Sequence, residues 1–556
     1  MPIDSLSDPA NVASPRVRAA DERVARTSLR FEMAVLALYT LLVSVVSALH
    51  EPWKDETQAW RMAIDSHGIA ELVRNARYEG HPLLFHLMLQ AVGLVSRSWW
   101  AAVVMHVIVA CFAAWLVLRY APFTRLQKVL IVFGYWSAYE YSVVVRPYGL
   151  GMMLAFAACI AWFAPRRRVV LTIVCLLLLA NTTAMGTLLA MALAAAFAFD
   201  WAWPDDVTRR PSLRTTVMAG AAVAVAALAV LYFAVVQIRP PADAAYQGEG
   251  HVSRALWDIV SIPTFELRAL FPIVLIRDGV QWNRWVLNPQ TRYELALLLC
   301  LSFLMLAIGL VIAARRRVSL LFYLIGTGGF LVFFGFLFSG TAHHHGYLFI
   351  VWVCTAWLAW GSAASERPQL LRRFTERVER MRGNFFVISL IPPIIATAEV
   401  ATADAFTPFA DATHIADVIR RQGLADAPLI AVVRSHAQAV GAFLDRPVLY
   451  PLERKTLTFV YWGTGSPYDE TVRAADSAAT ALLSTHCRVV LIASPSKDVA
   501  PQTAARAKLI YTTTYHPMSG DRYRIWVISA PPSPRCPAAG YPSTQPASPP
   551  QPNPTS

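Results

Sequence analysis

The chain has 556 residues, of which 56% are hydrophobic and only 15% charged, a balance that excludes an ordinary soluble protein. Its formal net charge of +13 would suggest a nucleic-acid partner in a soluble chain. Here the arginines cluster between apolar runs, so membrane topology accounts for the charge and no nucleic acid is expected.

In chain order, residues 1–30 are polar and arginine-rich, and no small-residue cleavage site follows the first apolar run. That pattern predicts a cytoplasmic N-terminus and a retained first helix, not a signal peptide. Apolar runs follow at 31–49, 98–118, 129–145, 149–164, 168–182, 184–200, 215–237, 293–313, 318–338, 346–362 and 384–400, about eleven candidate spans. The segment 81–96, which carries His81 and His86, is short for a span, and its path decides which side every later loop faces. If it lies along the membrane, the basic clusters share the N-terminal side: Arg119, Arg125 and Lys128; 166–168; Arg209, Arg210 and Arg214; 315–317; and 367–382. The positive-inside rule selects this arrangement.

The expected fold class is therefore mainly α: a polytopic membrane helical bundle over 31–400, with an external loop at 50–97. Within that loop, Trp60, Ala63, Ile64, Ile69, Leu72 and Val73 recur at helical spacing, predicting an amphipathic interfacial helix or helix pair. Trp53, Trp60, Trp99 and Trp100 suit the interface belt. The segments 136–151, 179–186, 239–291 and 339–348 are expected to face the same side. After Val400, helix-like segments (413–424, 435–445, 470–486) alternate with strand-like ones (428–434, 446–451, 487–494, 523–529). This predicts a small α/β extracytoplasmic domain over 401–530, followed by a disordered Pro/Ser-rich tail, 531–556. Five of the seven cysteines lie in apolar runs; Cys487 and Cys536 can pair only if their part of the chain is extracytoplasmic.

Chemistry gathers at the external corners. Asp55 and Glu56 directly follow the first span, Glu79 and His81 return to the surface, and Glu140, Arg146 and Tyr148 edge apolar helices. His343, His344 and His345 stand at a third corner. Loop acids, interfacial arginines and helix-end histidines all have plain structural explanations. An Arg and a Glu at membrane depth are nonetheless costly unless they face a polar cavity or pair. Carboxylates serve as bases or cation ligands, and Arg and His hold phosphate oxygens.

The ordered set HEPWKDETQAW, EGHPLLFHLML and YEYSVVVRPYGLGMML resembles the GT-C superfamily of polyprenyl-phosphate-sugar-dependent glycosyltransferases. Within it, the likeness is to the protein O-mannosyltransferase-like and aminoarabinose lipid A transferase-like branch. It covers about residues 31–200 by motif and 201–400 by architecture. The resemblance implies Asp55 as the catalytic base and Glu56 as the neighbour that orients the acceptor or a cation. His81 and Pro82 match the family's HPPL motif, with Leu83 in place of its second proline. Glu79, His81, Glu140, Arg146, Tyr148, His343, His344 and His345 would bind substrate. No acid follows Arg146 as it does in many members, so Glu140 is left to join Asp55 as a ligand for Mg²⁺ or Mn²⁺, if a metal is used. The implied activity is sugar transfer from a polyprenyl-phosphate donor to an envelope lipid, glycan or protein, with inversion, at the outer face of a bacterial inner membrane. Two other readings stand beside it. A lipid-linked glycan ligase or polymerase would use loop 239–291, with Arg254, Arg268, Arg277 and Arg284. A flippase would need midplane charges and internal repeats.

Overall fold

The computed structural model describes residues 15–164, 167–204, 231–239, 259–273, 291–361, 372–463, 470–497 and 501–536, with isolated positions between 212 and 282. The run 215–237, most of loop 239–291 and residues 537–556 of the tail lie largely or wholly outside the described residues, as do Arg254, Arg277 and Arg284.

Among the described residues, six helices are long and apolar enough to cross a membrane: Ser28–Leu49, Trp99–Tyr120, Ala184–Ala202, Arg292–Ala313, Arg317–Leu337 and Glu376–Phe406. Each turns side chains such as Leu41, Ile108, Met191, Phe303, Leu324 and Ile388 outward, uncovered by protein. In a membrane those faces meet lipid, and only the intrahelical backbone bonding of a helix permits that. The first span is the C-terminal part of α1 (Pro15–Leu49), which leads to α2 (Lys54–Asp65) and α3 (Ile69–Ala76). Next come α4 (Leu84–Gly93), α5 (Trp99–Tyr120) and α6 (Arg125–Val132). Then follow α7 (Tyr148–Phe163), α8 (Val169–Ala180), α9 (Ala184–Ala202), α10 (Thr264–Leu270), α11 (Arg292–Ala313), α12 (Arg317–Val332), α13 (Ala342–Trp360) and α14 (Arg372–Phe406). Every residue of α13 from His343 to Ala359 is buried, because α7, α9, α10, α11 and α12 surround it.

Two predicted runs take another form. The run 129–145 is not one helix. α6 ends at Val132, and a wide π-type turn, Trp136–Glu140, follows it. The segment 81–96 contains only the ten-residue α4, about 15 Å long and half a bilayer core. It packs between α2 and α5 instead of crossing.

Among the described residues, Arg167, Arg315 and Arg316 gather at one end of the bundle. There Asp200 accepts from Trp162 Nε1 (2.9 Å) and from Arg167 (2.7 Å), with Arg316 at 3.5 Å, and Arg315 pairs with Glu379 at 2.9 Å. The acidic and histidine corners gather at the other end, where Leu84 N donates to Asn181 O (3.2 Å) and Tyr141 Oη to His343 O (2.7 Å).

α14 runs on from the bundle to a six-stranded mixed sheet. Its strands are β1 (Leu429–Ala431), β2 (Val448–Tyr450), β3 (Lys455–Leu457), β4 (Arg488–Ala493), β5 (Ala507–Thr512) and β6 (Arg524–Ser529). Their order is β3-β2-β1-β4-β6-β5, with β1 parallel to both β2 and β4 and the other pairs antiparallel. Strand alternation sends side chains to two faces. Leu429, Ala431, Val490 and Ile492 pack with Ile415 and Ile419 of α15 (Ala412–Arg421) and Ala437 and Val440 of α16 (Arg434–Leu444). Ile430, Val432, Val489 and Leu491 pack on Ala475 and Ala479 of α17 (Val472–Leu482). β3 and β5 lie at the sheet edges and carry little apolar alternation, so periodicity did not reveal them. Cys487 and Cys536 form a disulfide.

Candidate active site

Asp55 and Glu56 sit in the first turn of α2, where acids suit the helix dipole. Neighbours on a helix point about 100° apart, so the two acids meet different surroundings. Glu56 is 1% exposed. Its Oε2 accepts from Trp53 N (2.7 Å) and approaches His50 Nε2 (3.2 Å), while Oε1 accepts from Val145 N at 2.6 Å. This carboxylate is spent on the protein. It caps α2 and holds the 141–148 corner, so the side chain expected to orient the acceptor or a cation is here engaged by the protein. The Asp55 side chain is 40% exposed. The protein around it raises its pKa, against the pull of Arg146 and Lys54.

Arg146 stands beside Asp55. Its Nη1 donates to Asp55 O at 3.0 Å, and Nη2 lies 4.0 Å from Asp55 Oδ2. The guanidinium also lies 6.0 Å from the centre of the Tyr148 ring. Burial opposes its charge, but Tyr148 and Asp55 outweigh that and keep it protonated. Glu79 and His81 both lie within electrostatic range of Arg146. Glu79 accepts from Gln58 at 2.9 Å. Burial pushes its pKa up to about 7, with Gln58 and Arg146 pulling the other way. Burial, then Arg146 and His86, hold His81 down at about 3, so its ring is neutral at physiological pH. His81 Nδ1 and Arg146 Nε are buried and lack hydrogen-bond partners among the described residues. Polar atoms left this way call for a water or ligand.

The three histidines divide. His343 and His344 lie against Tyr148, with ring centres 5.4 and 5.7 Å from it. Thr341 N donates to His344 Nδ1 (2.9 Å), which assigns the neutral ring's proton to Nε2. Nε2 donates to Tyr148 Oη at 3.2 Å and leaves the phenol hydrogen available to another acceptor. His345 points elsewhere: it donates to Ser339 O (2.9 Å) and packs between Phe265 and Phe334. Glu140 also lies apart from Asp55. It accepts from Tyr135 (2.7 Å) and Trp282 (3.0 Å) in a buried network. No contact described joins Asp55 to Glu140, and no group of three His, Cys, Asp or Glu side chains among the described residues is arranged for a metal. Among the described residues, the side chains do not assemble a site for the expected cation.

Sequence reasoning missed the residues that close the site from afar. His50 bridges Glu56 and, through Nδ1, Asp404 Oδ2 at 2.8 Å. Burial opposes its charge, yet Asp404 and Glu56 lift it to about 10. From the sheet-bearing part, Asp521 pairs with Lys54 (2.6 Å) and His436 (3.2 Å). Gln58 exchanges two hydrogen bonds with the Val460 backbone (2.8 and 2.9 Å). No short-range signal points to partners some four hundred positions away.

No family model and no curated protein matches the sequence. Among solved structures, the chain is similar to ArnT from Cupriavidus metallidurans bound to undecaprenyl phosphate. The two are 12% identical with a TM-score of 0.49, over 90% of this chain and 99% of that one. The same protein in the apo state is 13% identical with a TM-score of 0.48, over the same shares. The arabinofuranosyltransferase AftD from Mycobacteria is 13% identical with a TM-score of 0.36, over 90% of this chain and 40% of that one.

Proposed function

We propose that the chain is an integral membrane glycosyltransferase of the GT-C kind. It moves a sugar from a polyprenyl-phosphate donor to an envelope acceptor at the outer face of a bacterial inner membrane. One observation supports this reading: the Asp55 carboxylate, 40% exposed, lies 4.0 Å from the Arg146 guanidinium, beside buried His81 Nδ1 and Arg146 Nε, which lack hydrogen-bond partners among the described residues. The disulfide supports an oxidising compartment for this end of the molecule.

In this mechanism Asp55 accepts the proton of the acceptor hydroxyl or amine. The acceptor's lone pair attacks the anomeric carbon, and the bond from that carbon to the phosphate oxygen breaks. The electron pair leaves on the phosphate, whose charge Arg146 holds while the neutral His81 and the Tyr148 hydroxyl bond its oxygens. A single displacement inverts the sugar. Glu56 positions α2 and takes no part in proton transfer. His345 and Glu140 are structural.

Envelope glycans from cells with and without the protein, compared by mass spectrometry, test the reading. Asp55→Asn should behave as the deletion, with turnover down about 10²–10⁴-fold at an unchanged level in the membrane. A fully active Asp55→Asn protein would overturn it.

A further inference from the structure

Lys54, Thr57, Gln58 and Arg61 of α2 recur at the spacing that places side chains on one helical face, and the sheet-bearing part meets each of them. Lys54 Nζ lies 2.6 Å from Asp521 Oδ1, and Thr57 Oγ1 donates to Gln438 Oε1 at 3.1 Å. Gln58 bonds the Val460 backbone, and Arg61 Nη1 pairs with Asp445 at 2.5 Å. α16, which carries His436 and Gln438, packs along α2. Asp55 follows Lys54 by one position, about 100° around the helix, and its carboxylate lies toward Arg146 instead.

Asp521 stands just before β6 and is almost wholly buried. Its Oδ1 also lies 3.2 Å from His436 Nε2. Burial opposes its charge, yet Lys54 and His436 hold its pKa down at about 2, so it is an anion at every working pH. Asp55 has charges around it from several elements. Beside the burial that raises its pKa, Arg146 and Lys54 lower it and Asp521 and Glu56 raise it; Glu79 and Tyr148 also lie in electrostatic range. Each cation near a carboxylate weakens it as a base, and Lys54 is the one whose charge the sheet-bearing part matches. We propose that Asp521 is a positioning residue for Asp55: it ties the neighbouring Lys54 ammonium to the α/β domain and so leaves the carboxylate able to take the acceptor's proton. The domain is then part of the active site and not an appendage. The proposal rests on the glycosyltransferase reading.

Two readouts on the full chain test it, with melting curves to show that each variant is folded. In cells, mass spectrometry follows the envelope glycan that depends on the protein. Asp521→Asn frees Lys54 and should slow accumulation of that glycan roughly 3- to 30-fold at an unchanged level in the membrane. Asp521→Glu keeps the anion and should keep most of the rate. Adding Lys54→Met to Asp521→Asn removes the freed cation and should restore the rate to within about threefold of wild type. A tie that only holds α2 in place predicts a double variant no better than Asp521→Asn. In nanodiscs, a water-soluble carbodiimide with an amine labels protonated carboxyls, and peptide mass spectrometry counts the label on Asp55. At fixed pH, Asp521→Asn should slow this labelling about tenfold, the equivalent of one pKa unit, and Lys54→Met should reverse the change. A double variant no better than the single one in both readouts overturns the proposal. If Asp55→Asn abolishes the glycan while Asp521→Asn alters neither readout, the positioning role alone falls. If cells with and without the protein make the same glycans while labelling follows the charges, the transferase reading falls and the coupling of Asp521 to Asp55 stands.

Discussion

Arg146 holds Asp55 at two points, its backbone carbonyl at 3.0 Å and its carboxylate at 4.0 Å. The first contact is a full hydrogen bond that sets the position of α2. The second is long, which leaves the carboxylate able to take a proton and the guanidinium able to take a second anion.

Lysine cannot reproduce that fork. Arg146→Lys should lower affinity for a short-chain polyprenyl phosphate roughly 10- to 100-fold, as expected for a lost charged hydrogen bond. Binding measured in nanodiscs checks this, and unchanged affinity would remove Arg146 from the phosphate site.

Glu56 should matter to folding more than Asp55 does. Glu56→Ala leaves His50 with one carboxylate and strands two buried backbone donors, at a cost of about 3–5 kcal/mol. Thermal denaturation should show a larger fall for Glu56→Ala than for Asp55→Asn. The stability from charged His50 is fully present below pH 6.5 and is lost as pH rises through about 10.

Gly149 opens α7 against the preceding corner, and a β-carbon there would lie 2.1 Å from Tyr141 O. Backbone cannot yield cheaply, so Gly149→Ala should cost about 1–3 kcal/mol and displace Arg146. A melting curve together with the polyprenyl-phosphate titration tests both effects, and normal values in the two would mean the corner is looser than the contact implies.

Burial raises Glu79 from 4.5 to about 7, so the folded protein binds this proton more tightly than the unfolded chain. Stability should therefore fall as pH rises from about 4.5 to about 7. Burial lifts Glu51 to about 7 as well, so Glu79→Gln should lessen this slope without abolishing it. A series of melting temperatures across that window decides; parallel lines for wild type and variant would refute the assignment.

The sequence by itself determined the class of the molecule. Apolar runs of spanning length, arginine clusters between them and the switch to alternating helix and strand after Val400 are local patterns, and local patterns survive in one dimension. The same holds for the residues proposed to act at the site: Asp55, Glu79, His81, Arg146 and Tyr148 all stand in short motifs. Tertiary structure alone decided which of the named residues face one another. Glu56 turns inward because a helix separates neighbouring side chains by about 100°, His345 turns from His344 for the same reason, and Glu140 is drawn to Tyr135 and Trp282. The sheet-bearing part reaches α2 through Lys54–Asp521 and Gln58–Val460, contacts that hydrophobic packing of distant segments creates and that no spacing along the chain encodes.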